Sequence, residues 1–184
     1  VNNGPNTFSG QKVVLGNDID LFGIDWTPIG SVVSYPGKTF AGTFDGNNHT
    51  ILNMKVSDST TAHATAGFFG SITGKVLNLT IDRATITSTH YAGAICGYSS
   101  SNVGMEISNC HVKNSTITSV PERTGTGYDN GDKVGGIIGY CVSGDKVTGC
   151  TVENVTITGY RDIGGICGYS AGTVENCSVK NSTL

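Results

Sequence analysis

Val147–Ile157 reads VTGCTVENVTI, and the same eleven-residue pattern returns without gaps three more times. It appears as VLNLTIDRATI at Val76–Ile86, ISNCHVKNSTI at Ile107–Ile117 and VENCSVKNSTL at Val174–Leu184. A shorter copy, ILNMKV, stands at Ile51–Val56. Each full copy follows a glycine-rich module: AGFFG at Ala66–Gly70, AGAICGY at Ala92–Tyr98, GGIIGY at Gly135–Tyr140 and GGICGY at Gly164–Tyr169. The glycines Gly70, Gly97, Gly139 and Gly168 are 27, 42 and 29 residues apart. The long interval holds one insertion, Ser119–Lys133 (SVPERTGTGYDNGDK), whose Pro, Gly and Asn-Gly mark an exposed loop.

Such a period predicts one coil of a parallel β-helix. It is too short for a propeller blade of roughly 40–45 residues and lacks the leucine spacing of leucine-rich repeats. Three strands per coil are expected: the glycine-rich run, a run centred on Cys150–Val152 and a run centred on Thr156–Thr158. Asn78, Asn109 and Asn176, with Gly149 as the odd member, fall at one corner. Asn114, Asn154 and Asn181 fall at another, where left-handed backbone suits Asn. The expected fold is all-β, a single-stranded right-handed parallel β-helix (β-solenoid) of about four to five coils with an N-terminal cap. One domain, 1–184, is divided into a cap and lead-in (1–39) and repeat coils (40–184), with the insertion loop at 119–133.

Alternation sets the faces. Inward positions are expected at Ile51, Met54 and Val56, and in later copies at Val76, Leu79, Ile81, Ile107, Cys110, Val112, Val147, Cys150, Val152, Val174, Cys177 and Val179. Thr80, His111, Thr151 and Ser178 form an outward column. Asp82, Lys113, Glu153 and Lys180 form another, alternating in sign, and each opposite-charge neighbour is worth about 0.2–1 kcal/mol.

The totals agree. Glycine is 27 of 184 residues, about twice the usual share of roughly 7%, and charged residues are 14% against about 25% normally. A net charge of −3 gives no electrostatic case for nucleic acid. No apolar run approaches the roughly 20 residues of a membrane span. Of the six cysteines, Cys110, Cys150 and Cys177 share a place held elsewhere by Leu79 and Met54, and Cys96 and Cys167 share one with Phe69 and Ile138. A cysteine interchanging with large hydrophobes reads as a small buried one, a free thiol. Zinc lacks its C-x-x-C or paired-His spacing, so no metal and no cofactor are expected.

The AGFFGxITG and GGIxGY modules followed by xVxNCxV resemble GLUG-type repeats of large bacterial cell-surface proteins, among them IgA-protease-like proteins and surface proteins of gut Bacteroidetes. The upstream NDIDL…WTPIG…FAGTFDGNNHTILNM is similar to the segment that precedes such repeats, so the resemblance covers roughly Val13–Leu184. The departures are the insertion and the cysteines in core columns. The resemblance implies an extracellular, surface-exposed β-solenoid acting as stalk or adhesin, and it carries no catalytic motif.

The residues offer little chemistry. Gly168–Gly172 (GYSAG) matches G-x-S-x-G only as a local variant of the repeat, with no helix to form a nucleophile elbow. The histidines His49, His63, His90 and His111 occupy different repeat positions. Asp45, Asp82, Glu153 and Asp162 are the acids to weigh for polysaccharide cleavage. Asp129-Asn130-Gly131-Asp132 lacks the ligand spacing of a calcium loop. Two contact regions stand out: the insertion, with Arg123, Tyr128, Asp129 and Asp132, and the tyrosines Tyr98, Tyr140 and Tyr169, which recur after the glycine. The expected function is a non-catalytic adhesin or stalk meeting a host protein or glycan, the alternative a carbohydrate-binding or polysaccharide-cleaving β-helix. Because the chain stops within a coil, and an uncapped end exposes strand edges, the polypeptide is expected to continue beyond residue 184.

Overall fold

The computed structural model describes residues 7–30, 38–58, 64–100, 104–120 and 133–184. Among them are 24 short strands and no helix, stacked as a parallel β-solenoid of about five turns. Every named strand pairing is parallel and joins one coil to the next. The strands fall on five sheets, here faces A to E in chain order. Faces A and B have six strands each, and C, D and E have four.

In the fourth coil Glu106–Ser108 lies on A, His111–Lys113 on B, Thr116–Ser119 on C, Lys133–Gly135 on D and Ile138–Cys141 on E. The expectation of three strands per coil is therefore corrected to five. Two of the three runs are each bent into two strands. The eleven-residue copy turns at its third residue (Asn78, Asn109, Gly149 or Asn176), so Cys150 sits in the corner between Lys146–Thr148 and Thr151–Glu153. The glycine-rich run turns between Gly135 and Ile138.

Both asparagine corners are left-handed: Asn78, Asn109, Gly149 and Asn176 have φ of 52°, 52°, 65° and 55°, and Asn114, Asn154 and Asn181 have 51°, 54° and 49°. At Gly149, the odd member, a Cβ would lie 2.6 Å from Asn109 Oδ1, the end of a side chain that can turn aside. The turn between D and E uses no Asn. A Cβ on Gly135 would meet Ile138 O at 2.1 Å, and one on Gly139 would meet Lys133 O at 2.5 Å and Gly97 O at 2.6 Å. Glycine here lets the backbones of D and E close on each other, which folds the two faces into a concave seam.

The inward columns form one core. Ile51, Met54, Val56, Val76, Leu79, Ile81, Ile107, Cys110, Val112, Val147, Cys150 and Val152 are buried. Val174, Cys177 and Val179 depart from the expectation. They keep the register of Val147 and Val152 on their faces, yet Val174 is 39% and Val179 42% exposed and Cys177 is half-buried. No described coil stacks upon them. The first described turn follows the same path: Lys12–Val14 pairs on face A, Ile19–Asp20 on face B, and Ile29 and Phe40 bridge to face E. Its end is filled by aromatic rings: Trp26 stacks on Phe68 at 4.9 Å and gives its indole N–H to Phe68 O at 3.0 Å, while Phe40 lies 5.1 Å from Phe69. All six cysteines are free.

Candidate functional site

Two outward columns meet across the D–E seam. On face E, Ser71, Tyr98, Tyr140 and Tyr169 are in register on successive coils. On face D, Thr65, Tyr91 and Lys133 are in register, and Val134 pairs with Ile163, which sets Asp162 beside Lys133. Level by level along the axis, the pairs are therefore Tyr91 with Tyr98, Lys133 with Tyr140 and Asp162 with Tyr169. Thr65 and Ser71, one level earlier, are buried, which closes the seam at that end.

The rings form a continuous ladder. Centroids are 5.3 Å apart for Tyr91–Tyr98 and Tyr98–Tyr140, and 4.9 Å for Tyr140–Tyr169, with interplanar angles of 30°, 28° and 13°. Lys133 Nζ lies 5.9, 5.5 and 5.7 Å from the ring centres of Tyr91, Tyr140 and Tyr169, within cation–π range, and 3.2 Å from Asp162 Oδ2. These five residues besides Asp162 line a groove of about 370 Å³. Burial, reinforced by the neighbouring phenols, raises the pKa of Tyr91 and of Tyr140. Both phenols are therefore neutral at ordinary pH and both donate and accept hydrogen bonds.

Of the expected contact residues, the structure brings Tyr98, Tyr140 and Tyr169 together, half-buried except for Tyr169, which is 41% exposed. Arg123, Tyr128, Asp129 and Asp132 lie outside the described residues, as does His63. The insertion leaves from Val120 at the end of face C and rejoins the coil at Lys133, so it is anchored at the groove itself. Tyr91 and Lys133 were not singled out by sequence, and Asp162 was weighed only among the acids for polysaccharide cleavage, not as a partner of the tyrosines. The face D column changes residue type at every level, and the insertion breaks the count to Lys133.

Elsewhere the acids serve the coil. Asp45 Oδ1 accepts from Asn78 Nδ2 at 3.0 Å and from Asn47 N–H at 2.9 Å, and Asp45 pairs with Lys12 at 2.9 Å. The Asn78 bond, then Lys12 and the Asn47 amide, hold its pKa down at about 2. Asp82 accepts from Asn114 Nδ2 at 2.9 Å and meets Lys113 at 3.8 Å. The alternating column Asp82, Lys113, Glu153 and Lys180 is in register. A second such column, Lys75, Glu106 and Lys146, lies on face A, where Lys75 pairs with Glu106 at 2.8 Å and Lys146 with Glu175 at 2.6 Å. Asp45 is on face A, Asp82 and Glu153 flank Lys113 on face B, and Asp162 is at the seam, so these four do not converge.

Ser170 ends a strand on face E and is followed by another strand, Thr173–Glu175; its hydroxyl donates to Gly172 O at 3.3 Å. His49 contacts Asp18 at 3.1 Å and His111 contacts Thr151 at 2.7 Å. Among the described residues no three His, Cys, Asp or Glu gather as metal ligands, and no helix is long and apolar enough to cross a membrane.

Comparison with known proteins adds three likenesses. The GLUG motif matches residues 159–184. Halomucin of Haloquadratum walsbyi is 31% identical over 139 residues, which is 70% of this chain and 1% of halomucin's own length. The crystal structure of a candidate immunoglobulin A1 protease from Bacteroides ovatus superposes with a TM-score of 0.52 at 22% identity, covering 94% of this chain and 72% of that one. At that identity the likeness speaks for the fold. The matched motif spans one glycine-rich module and one eleven-residue copy, the unit that recurs through the stack. The chain is thus a β-solenoid whose residues 159–184 match the GLUG motif.

Proposed function

We propose that this chain is a non-catalytic module of an extracellular surface protein, an adhesin or stalk that presents the D–E seam and the adjoining insertion to a protein or glycan. The observation that carries this reading is the convergence of four tyrosines and Lys133, itself paired with Asp162, on one lateral groove, beside the one point where the repeat admits a long insertion. Rings and paired charges in a groove are the composition of contact surfaces. The match to a small part of a far longer relative supports a module within a longer polypeptide. The placement of Asp45, Asp82, Glu153 and Asp162 favours contact over cleavage, because hydrolysis of a glycosidic bond needs two carboxyls flanking one bond.

The test is an array of glycans and matrix proteins, with release of reducing ends assayed in the same wells. Binding without turnover is expected, weakened when residues 119–133 are replaced by a short linker or when Tyr140 becomes Ala. Turnover would overturn the non-catalytic reading. Binding untouched by both changes would move the contact surface elsewhere.

A further inference from the structure

Resting on the reading of the seam as the contact surface, we infer that its ligand is a neutral linear glycan, lying along the solenoid axis with about two or three sugar rings in the groove. Three features of the seam carry this.

The first is spacing. The groove presents one pair of side chains per coil, and coils repeat at about 4.8 Å, close to the rise of one pyranose in an extended polysaccharide. A ligand with that repeat meets a face E tyrosine at each successive level, Tyr98, Tyr140 and then Tyr169, each beside a different face D residue, Tyr91, Lys133 and Asp162.

The second is what the rings offer. Stacked at 4.9–5.3 Å, they cover one another's faces, so a ligand beside the ladder meets ring edges and phenol hydroxyls. A phenol hydroxyl both gives and takes a hydrogen bond, as each sugar hydroxyl does. Tyr169, the most exposed ring of the four, adds a surface for the C–H face of one sugar.

The third is charge. Lys133 and Asp162 sit 3.2 Å apart, so among the described residues the groove's one cation is balanced by an adjacent anion. A vicinal diol matches that pair, one hydroxyl donating to the carboxylate and its neighbour accepting from the ammonium. A polyanionic glycan gains from Lys133 only what it loses against Asp162.

The test is isothermal titration of the intact chain with β-1,4- and β-1,3-linked neutral oligosaccharides of increasing length. Uronate-containing and sulfated oligosaccharides and extended peptides run beside them. Affinity is expected to rise with length until the groove is filled, then level off, and to change little when salt is raised. Asp162→Asn and Tyr140→Phe should each weaken it, the first by about tenfold, as for loss of a charge-assisted hydrogen bond. The thermal melt of each variant should stay near that of the parent, and Thr116→Ala on face C should change nothing. Preference for charged glycans with steep salt dependence, affinity independent of length, or no binding of any neutral oligosaccharide overturns the inference. Seam-dependent binding of a peptide or protein alone overturns it while leaving the contact reading intact. No seam-dependent binding of any ligand overturns both.

Discussion

Of the twelve non-glycine residues with positive φ among the described residues, nine are Asn. Their side chains also hold neighbouring coils together: Asn53 gives to Asp20, Asn78 to Asp45 and Asn114 to Asp82, each time one coil back, and Asn154 gives to Asn114. Backbone and side-chain contributions can be separated at Asn114. Asn114→Gly loses the bonds to Asp82 and Asn154 but keeps φ at 51° without strain. Asn114→Ala loses the bonds and places a Cβ in the left-handed region, so it should be less stable than the glycine variant by about 1 kcal/mol in urea titration. Equal midpoints would show that the corner needs only the side chain. Asp45 supplies a pH dependence. Its folded pKa of about 2 lies below the ordinary 3.8. Its stabilisation is present above the ordinary value and is lost as pH falls through the folded one. Urea midpoints should drop between those two values, and Asp45→Asn should lower stability at neutral pH while flattening that drop.

An element in this molecule is two to four residues on one face, stable only through the coils above and below. Ile107 has coils on both sides and no exposure, so Ile107→Ala should cost about 2–5 kcal/mol. Val179 keeps the register of Val152 yet is 42% exposed, so Val179→Ala should cost less than about 1 kcal/mol. Parallel thermal melts decide this, and equal losses would mean that register alone sets the cost. The same elements show what a sequence discloses. Most copies of VTGCTVENVTI carry Asn at their corners, Gly149 and Arg83 being the exceptions, so columns, faces and the alternating charges of Asp82, Lys113 and Glu153 were readable from alignment of the copies. The turn between faces D and E is made by close backbone packing at Gly135 and Gly139, with no turn residue to announce it. One strand was therefore read where there are two. For the same reason only half of the seam was legible. Tyr98, Tyr140 and Tyr169 repeat one residue type, whereas Tyr91, Lys133 and Asp162 share nothing but their place.

At the scale of the molecule, the backbone pairing between coils is parallel and points along one axis. If the chain serves as a stalk and is pulled from its ends, the load falls on the outermost coil and not on the whole stack at once. Each released coil, 27 residues between Gly70 and Gly97, would lengthen the chain by about 90 Å. Single-molecule stretching should show a succession of small, evenly spaced steps, with a longer one for the coil that carries the insertion. One abrupt event would mean that the stack fails as a unit. Stepwise unspooling would make this solenoid a tether that yields gradually under shear and leaves the rest of its groove still folded around whatever it holds.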